Sequence, residues 1–152
     1  MGKAALAKRW RRSYYVDMRI LVTGDRHWHC DDLAERIVRR LVKRYGSDIM
    51  IVNGGTPGVD WAFSKACRKL RVATEVHTSD RRTLGNIAGP ARNREMVQSG
   101  ADQCVAFHRD LKTSNGTKDC IRQALAAGIA VYLIADDGGR PRRILANDPG
   151  LK

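Results

Sequence analysis

The sequence predicts an α/β fold, a single Rossmann-like doubly wound parallel sheet of about five strands with helices on both faces. Two observations predict this fold. Short apolar runs alternate with segments whose apolar residues recur at helical spacing, which is typical of parallel sheets with crossover helices. Polar clusters that contain glycine also lie at three places between a predicted strand and the next helix, where open α/β sheets bind ligands.

The first half of the chain supplies three strands and two helices. Residues 18–23 form an apolar run that ends at Gly24, as a buried strand does. The first helix follows, and its apolar residues at helical spacing are Leu33, Ile37, Val38, Leu41 and Val42. Residues 49–52 predict the second strand and residues 59–70 the second helix. Residues 72–77 predict a third strand that is less apolar, as an edge strand is.

The second half repeats the alternation. Residues 78–87 predict a polar loop, after which Pro90 begins a helix that runs to about residue 99, since proline is tolerated in a first helical turn. The remaining elements are a fourth strand at 103–108, a helix at 116–127 and a fifth strand at 129–134. Right-handed crossovers between parallel strands then favour the strand order 3-2-1-4-5.

Length and charge indicate one folded domain with two tails. The 152 residues are enough to bury a core without disulfides or a structural metal. We expect a flexible basic tail at residues 1–16, a folded domain at residues 17–135 and a C-terminal tail at residues 136–152. The net charge is +12, and the first tail holds five basic and no acidic side chains. Such an excess attracts polyanions in general, whether nucleic acids or small nucleotides.

Several classes of protein are disfavoured. The four cysteines form no Cys-x-x-Cys pair, which argues against a zinc ribbon or a thioredoxin-type motif and fits reduced thiols in a cytoplasmic protein. His27-x-His29-Cys30 lacks a fourth ligand at the usual spacing, so no metal is predicted. No apolar segment approaches the length of a signal peptide or of a membrane span of about 18 residues. We therefore expect no membrane partner and a cytoplasmic location.

The common nucleotide fingerprints are absent. The first strand ends in Gly24-Asp25-Arg26, not in Gly-x-Gly-x-x-Gly, and the Gly54-Gly55 cluster lacks the Gly-Lys-Ser/Thr of a P-loop. This argues against a conventional dehydrogenase and against a P-loop NTPase.

Four polar clusters together predict one phosphate and ribose site. They lie at residues 24–26, 53–60, 88–93 and 113–117. Glycines let backbone amides approach an anion closely, and helix N-termini add partial positive charge. The candidate ligand-binding residues are Gly24, Arg26, Gly54, Gly55, Gly58, Asp60, Gly89, Arg92, Asn93, Thr113, Ser114, Gly116 and Thr117.

Two of these clusters have side chains with definite candidate roles. Asp60 is expected either to accept a hydrogen bond from a ribose hydroxyl or to cap its helix. Arg92 suits bidentate contact with phosphate, and Asn93 suits a sugar or base edge, because both lie in the first turn of a predicted helix. The alternative for this pair is an ion pair with Glu95 or Asp119.

The other candidates have plainer alternatives. Thr113, Ser114, Gly116 and Thr117 predict a second phosphate loop or an ordinary capped turn. Arg26 is expected to contact an anion or to pair with Asp25 or Asp31. Trp28 either stacks on a base or covers the sheet, and packing is the commoner role of an aromatic side chain.

The linked motifs resemble those of a known family. Gly24-Asp25-Arg26-x-Trp28, Gly54-Gly55-x-x-Gly58-Val59-Asp60, Ala88-Gly89-Pro90-x-Arg92-Asn93-x-x-Met96 and Ser114-x-Gly116-Thr117-x-Asp119 resemble the YspA-like branch of the SLOG superfamily. That superfamily also contains the lonely-guy phosphoribohydrolases, the molybdenum-cofactor carriers and DNA-processing protein A. The resemblance covers about residues 18–134. It implies that residues 17–135 form a nucleotide-binding domain.

The resemblance leaves catalysis open. The phosphoribohydrolases use an Arg in a helix motif that ends in Met and a Glu after a Pro-Gly-Gly-x-Gly-Thr loop. Arg92, four residues before Met96, matches that Arg. Asp119 lies one residue early and is one methylene shorter than that Glu. Arg92 with Asp119, or with Asp60, is therefore the candidate catalytic pair of a hydrolase that the resemblance permits without implying it.

Three hypotheses for function remain. The first is binding or sensing of a nucleotide or nucleotide derivative whose identity the phosphate loops do not specify, and this ligand is the only cofactor expected. The second is phosphoribohydrolase-like cleavage of an N-glycosidic bond. The third is a nucleic-acid-binding module that uses residues 8–15, where aromatic side chains lie among basic ones. A homodimer is also expected, because related proteins associate through surface helices and Trp61 is a bulky residue at a helix start.

Overall fold

A computed structural model describes residue 16 and residues 18–152. The basic segment at residues 1–15, on which the nucleic-acid hypothesis and the flexible N-terminal tail depend, lies outside the described residues, so both stay predictions. Six strands form one sheet in the order β3-β2-β1-β4-β5-β6. The strands are β1 (Met18–Gly24), β2 (Ile49–Asn53), β3 (Ala73–Val76), β4 (Gln103–Phe107), β5 (Ala130–Ile134) and β6 (Arg142–Ile144).

Helices connect the parallel strands. They are α1 (Asp31–Tyr45), α2 (Val59–Leu70), the short α3 (Arg81–Leu84), α4 (Ala88–Gln98) and α5 (Gly116–Ala126). Single turns of 3-10 helix occur at Gly85–Ile87, Leu111–Thr113 and Pro149–Leu151. Within residues 18–152, no helix combines the length and the apolar character needed to cross a bilayer.

The central strand β1 pairs in parallel with β2 on one side and with β4 on the other. Leu21 is in register with Val52 of β2 and Cys104 of β4. The predicted fold class is confirmed, and the predicted order of the first five strands is the observed one. The strand count is one higher, because β6 pairs antiparallel with β5.

The C-terminal segment differs from the tail expected at residues 136–152. It contributes β6, and it buries Ile144 at 0 % and Leu151 at 5 % exposure against the face of the sheet that carries α4 and α5. Sequence periodicity does not show this strand, because β6 is three residues long and two of them are exposed arginines.

The predicted polar loop at residues 78–87 also contains regular structure. The Asp80 side chain caps α3 by accepting a hydrogen bond from the Thr83 amide, and the 3-10 turn then leads directly into α4. Helix α4 consequently begins at Ala88, two residues before Pro90. Pro90 still lies in the first turn, where its missing N–H would have no partner in the helix.

Each face of the sheet has its own core. Helices α1 and α2 cover one face, where the Phe63 and Phe107 ring centroids lie 4.9 Å apart. Helices α4 and α5 cover the other face. Trp28 packs edge-on against Phe107 at 6.4 Å and is 4 % exposed, with the Arg109 guanidinium 4.7 Å above its ring. Trp28 is thus a packing residue, which was the favoured alternative.

Candidate functional site

A cleft of about 490 Å³ opens at the carboxyl ends of β1, β2 and β4, beside the N-termini of α2, α4 and α5. Ten of the predicted ligand-binding residues line it: Gly24, Arg26, Asp60, Gly89, Arg92, Asn93, Thr113, Ser114, Gly116 and Thr117. Gly54, Gly55 and Gly58 belong to the loop after β2 and are not among the lining residues. The four sequence clusters therefore meet at one edge of the sheet, as parallel topology requires.

Asp60 holds the loop after β2 in place. Its Oδ2 accepts hydrogen bonds from the Gly54 amide at 3.1 Å, the Thr56 amide at 3.3 Å and the Thr56 hydroxyl at 3.0 Å. Burial raises the pKa of Asp60, while the bonds from Thr56 and Gly54 and the nearby Arg92 charge oppose that rise. The side chain therefore binds the preceding loop from the first turn of α2.

The loop glycines serve close packing. Gly58 has a φ of +80°, and a side chain there would collide with the backbone of Asp25 and Arg26. The face of Gly54 lies against the Arg92 guanidinium, so a side chain at Gly54 would displace it. These glycines thus let the loop approach β1 and Arg92 closely, which is a different role from direct contact with phosphate.

Arg92 is fixed at two of its nitrogen atoms. Its Nη1 donates to the Gly54 carbonyl at 2.8 Å, and its Nε donates to Asn93 Oδ1 at 3.0 Å. Neither of the alternative ion pairs forms, since Glu95 bonds to His77 and Asp119 bonds to Asn93. Among the described residues Nη2 has no hydrogen-bond partner, so the guanidinium is oriented and still has donors for a ligand in the cleft.

Asn93 joins α4 to α5. It is 2 % exposed, and its Nδ2 donates to the Gly116 carbonyl at 3.2 Å and to Asp119 Oδ2 at 2.9 Å. Asp119 also accepts from Gln123 Nε2 at 2.9 Å and is not among the lining residues. The candidate catalytic carboxylate therefore lies behind Asn93, where it orients that amide. Hydrogen bonds thus run from Asp119 through Asn93, Arg92 and Gly54 to Asp60.

The loop before α5 is a capped turn that also lines the cleft. Ser114 Oγ accepts from the Thr117 amide at 3.0 Å, and Thr113 Oγ1 donates to the Asp110 carbonyl at 2.8 Å. Both hydroxyls therefore have structural partners, in agreement with the plainer alternative. The first turn of α5 still faces the cleft through Asn115, Gly116 and Thr117.

Sequence reasoning missed part of the cleft wall. His108 directly follows β4 and is 8 % exposed, and its Nδ1 accepts from the Asp110 amide at 3.1 Å. Its Nε2 lies 3.9 Å from Asp25 Oδ2. Position after a buried strand is the signal that would have found His108. The further lining residues are Thr23, Asp25, His27, Thr56, Arg81, Met96 and Asn115.

Comparison with known proteins agrees with this architecture. Residues 18–83 match the model of the family described as YspA, cpYpsA-related SLOG family. The chain is also 38% identical over 128 residues to the Gene 61 protein of Mycobacterium phage D29, an alignment that covers 78% of this chain and 97% of the phage protein. The chain belongs to the YspA-like branch of the SLOG superfamily. No solved structure matches it.

The SLOG family match covers only the first two clusters. Arg92 and Asn93 in α4 and the loop before α5 lie beyond residue 83. The fold brings them to the same cleft as the two matched clusters. Trp61 lies outside this site. It is 55% exposed and donates its Nε1–H to the Gly55 carbonyl at 2.9 Å. The homodimer stays a prediction.

Proposed function

We propose that the cleft binds a nucleotide or a nucleotide-derived ligand and that the protein is a binding or sensing domain for it. The phosphate lies on Arg92, between the N-termini of α4 and α5. SLOG membership supports a ligand of this class. The single observation that carries the proposal is the orientation of Arg92 by two hydrogen bonds, with Nη2 unpaired by the described residues beside two helix N-termini.

Physical chemistry favours an anion at this place. A guanidinium binds phosphate through parallel N–H bonds, and the helix dipole adds partial positive charge at the N-terminus of α5. Two more cations, Arg26 and Arg81, line the same cleft. Because Arg92 is already ordered, binding costs little further side-chain entropy.

A ligand screen tests the proposal. Thermal shift across nucleoside phosphates, ADP-ribose, dinucleotides and molybdopterin should single out a class, because a ligand that binds only the folded state raises its melting temperature. Arg92→Ala should weaken binding of that class by about 1.5 to 3 kcal/mol in calorimetry, the range for a hydrogen bond to a charged group. Arg92→Lys should recover only part, since an ammonium keeps the charge and loses the planar geometry.

Arg94 supplies the matched control. It lies two residues further along α4, is exposed and does not line the cleft. Arg94→Ala should therefore leave affinity close to that of the parent protein. The assignment of Arg92 fails if Arg92→Ala binds every ligand as tightly as the parent does.

The same ligands test the hydrolase hypothesis. Release of free base from a nucleoside monophosphate would support phosphoribohydrolase-like activity. Asp119 lies outside the cleft wall, whereas Asp25 and Asp60 line it, so one of those two carboxyl groups would have to act with Arg92 in such a reaction.

A further inference from the structure

Of the two carboxylate oxygens of Asp60, one is fully hydrogen-bonded, and the other is buried and has no partner among the described residues. The side chain is 4 % exposed and lines the cleft. Oδ2 accepts all three hydrogen bonds from the loop after β2, whereas Oδ1 is buried and has no partner among the described residues. Holding the loop requires only Oδ2, so the loop does not explain the second oxygen.

An open buried acceptor is unfavourable in the unliganded protein. A buried polar group without a hydrogen bond costs about 1 to 3 kcal/mol, and native proteins keep few of them. When such a group lines a cleft, a ligand that carries a donor removes the cost on binding. A hydrogen-bond donor on the ligand would remove this cost at Asp60 Oδ1.

The neighbours of Asp60 define the chemistry of that donor. One residue, Gly54, connects Asp60 to Arg92: its amide donates to Asp60 Oδ2 at 3.1 Å, and its carbonyl accepts from Arg92 Nη1 at 2.8 Å. The donor that meets Oδ1 must consequently lie close to the anionic group that meets Arg92. The cleft also contains three arginines, which disfavour a cationic amine. A neutral hydroxyl on a phosphorylated sugar fits both conditions.

We propose that Asp60 Oδ1 accepts a hydrogen bond from a ribose hydroxyl of the ligand whose phosphate lies on Arg92. The cleft then selects ribonucleotides over forms that lack that hydroxyl. This inference rests on the proposed function and adds the sugar to it. A site built to bond a hydroxyl discriminates against the analogue without it, because the buried oxygen is then left unpaired.

Calorimetry with matched nucleotides tests the proposal. The probes are AMP, GMP, CMP and UMP, their 2′-deoxy and 3′-deoxy forms, and inorganic phosphate. For the ribonucleotide that binds the parent protein best, one of the two deoxy forms should bind at least about 10-fold more weakly, as expected for a lost bond to a charged group. In Asp60→Asn the ratio between ribose and deoxy forms should fall clearly below that of the parent protein, because the bond to a charged carboxylate is replaced by at most a weaker neutral one from the amide.

Asp48→Asn is the control for the lost charge. Asp48 is exposed, lies between α1 and β2 at the opposite end of the sheet, and is not a lining residue. Asp48→Asn should keep the full ratio between ribose and deoxy forms.

The outcomes separate the two proposals. If the ribonucleotides bind and both deoxy forms bind equally well, the assignment of Asp60 is wrong while the proposed function stands. If only inorganic phosphate binds, the cleft is an anion site alone, and both the Asp60 assignment and the nucleotide ligand are wrong. If no probe binds and the wider screen finds no ligand, the proposed function itself fails. Should Asp60→Asn not fold, the deoxy series on the parent protein decides alone.

Discussion

Two groups of charged side chains in this protein differ in how completely they are paired. In the cleft, Arg92 Nη2 and Asp60 Oδ1 have no partner among the described residues. In the second group, which we call the charged cluster, Arg19, Glu75, His77 and Glu95 join β1, β3 and α4. Arg19 is 8 % exposed and bonds to Glu75, to the Gly100 carbonyl at 2.7 Å and to Ser99 Oγ at 2.9 Å.

The pKa values of two carboxyl groups show the consequence. The hydrogen bond from Arg19 lowers the pKa of Glu75 to about 2, against the smaller opposing effect of burial. Burial raises the pKa of Asp60. The charged cluster thus stabilises the ionised form of Glu75, whereas burial in the cleft destabilises the ionised form of Asp60. Pairing in the charged cluster favours stability, whereas the cleft leaves polar groups unpaired, as the proposed ligand site would.

Removing Arg19, the cation of the charged cluster, should have the largest effect on the free energy of unfolding. Arg19→Met keeps an apolar stem but leaves the Glu75 carboxylate without its guanidinium. We expect the free energy of unfolding in urea to fall by about 3 kcal/mol, at the lower end of the range for breaking a buried pair, because Glu75 is partly exposed. Ligand affinity should stay unchanged, since none of these four residues lines the cleft.

A matched substitution at the surface provides the control. Lys65 pairs with Asp31 at 2.9 Å, and the two side chains are 65% and 57% exposed. Lys65→Met should cost less than about 1 kcal/mol, as exposed ion pairs do. Equal losses in the two variants would contradict the contrast between a buried and an exposed pair.

Replacing Asp60 should have an intermediate effect on the free energy of unfolding, and it should raise stability where Arg19→Met lowers it. Asp60→Asn removes a carboxyl group whose ionised form is disfavoured by burial, so the ligand-free protein should gain about 1 kcal/mol of stability at pH 7. Because the folded pKa of Asp60 lies above its ordinary 3.8, the ionised parent is penalised at neutral pH. That penalty disappears as the pH falls through the folded pKa towards 3.8.

Urea unfolding of the parent and Asp60→Asn proteins between pH 3.5 and 7 measures this difference. The stability gain should shrink steadily on acidification. A variant that is less stable than the parent at pH 7 would show that the hydrogen bonds to Oδ2 and the Arg92 charge outweigh the penalty of burial.

The sequence predicted elements that local pattern determines. The five parallel strands are apolar runs because helices cover both faces of the sheet, and the carboxyl-edge rule brought the glycine clusters together. Strand β6 and helix α3 have three and four residues, which is too short for periodicity to show. Contacts between residues far apart in the sequence also leave no pattern that sequence reading can recognise. Nothing in the spacing places Gly54 against Arg92, and nothing places Arg19 against Glu75, because the fold decides those pairs.

Replacing His77 should have the smallest effect on stability, and the size of that effect should depend on pH. Its Nδ1 lies 2.7 Å from Glu95 Oε1 and its Nε2 lies 2.9 Å from Glu75 Oε2. Burial lowers the pKa of His77, but the bonds to Glu75 and Glu95 outweigh burial and raise it above the ordinary 6.5. The stabilisation is therefore complete below pH 6.5 and is lost as the pH rises through the folded pKa.

The low pKa of Glu75 sets the lower pH limit of the stabilisation by the charged cluster. Its contribution is present above its ordinary value of 4.5 and is lost as the pH falls from there towards about 2. His77→Gln should consequently cost most between about pH 4.5 and 6.5. The loss there should be about 0.5 kcal/mol, because Glu95 is 65% exposed and solvent screens the pair. The loss should become smaller above pH 6.5. An NMR titration of the His77 ring gives the pKa directly, and a value below 6.5 would show that burial dominates and that the charged cluster does not stabilise the protonated ring.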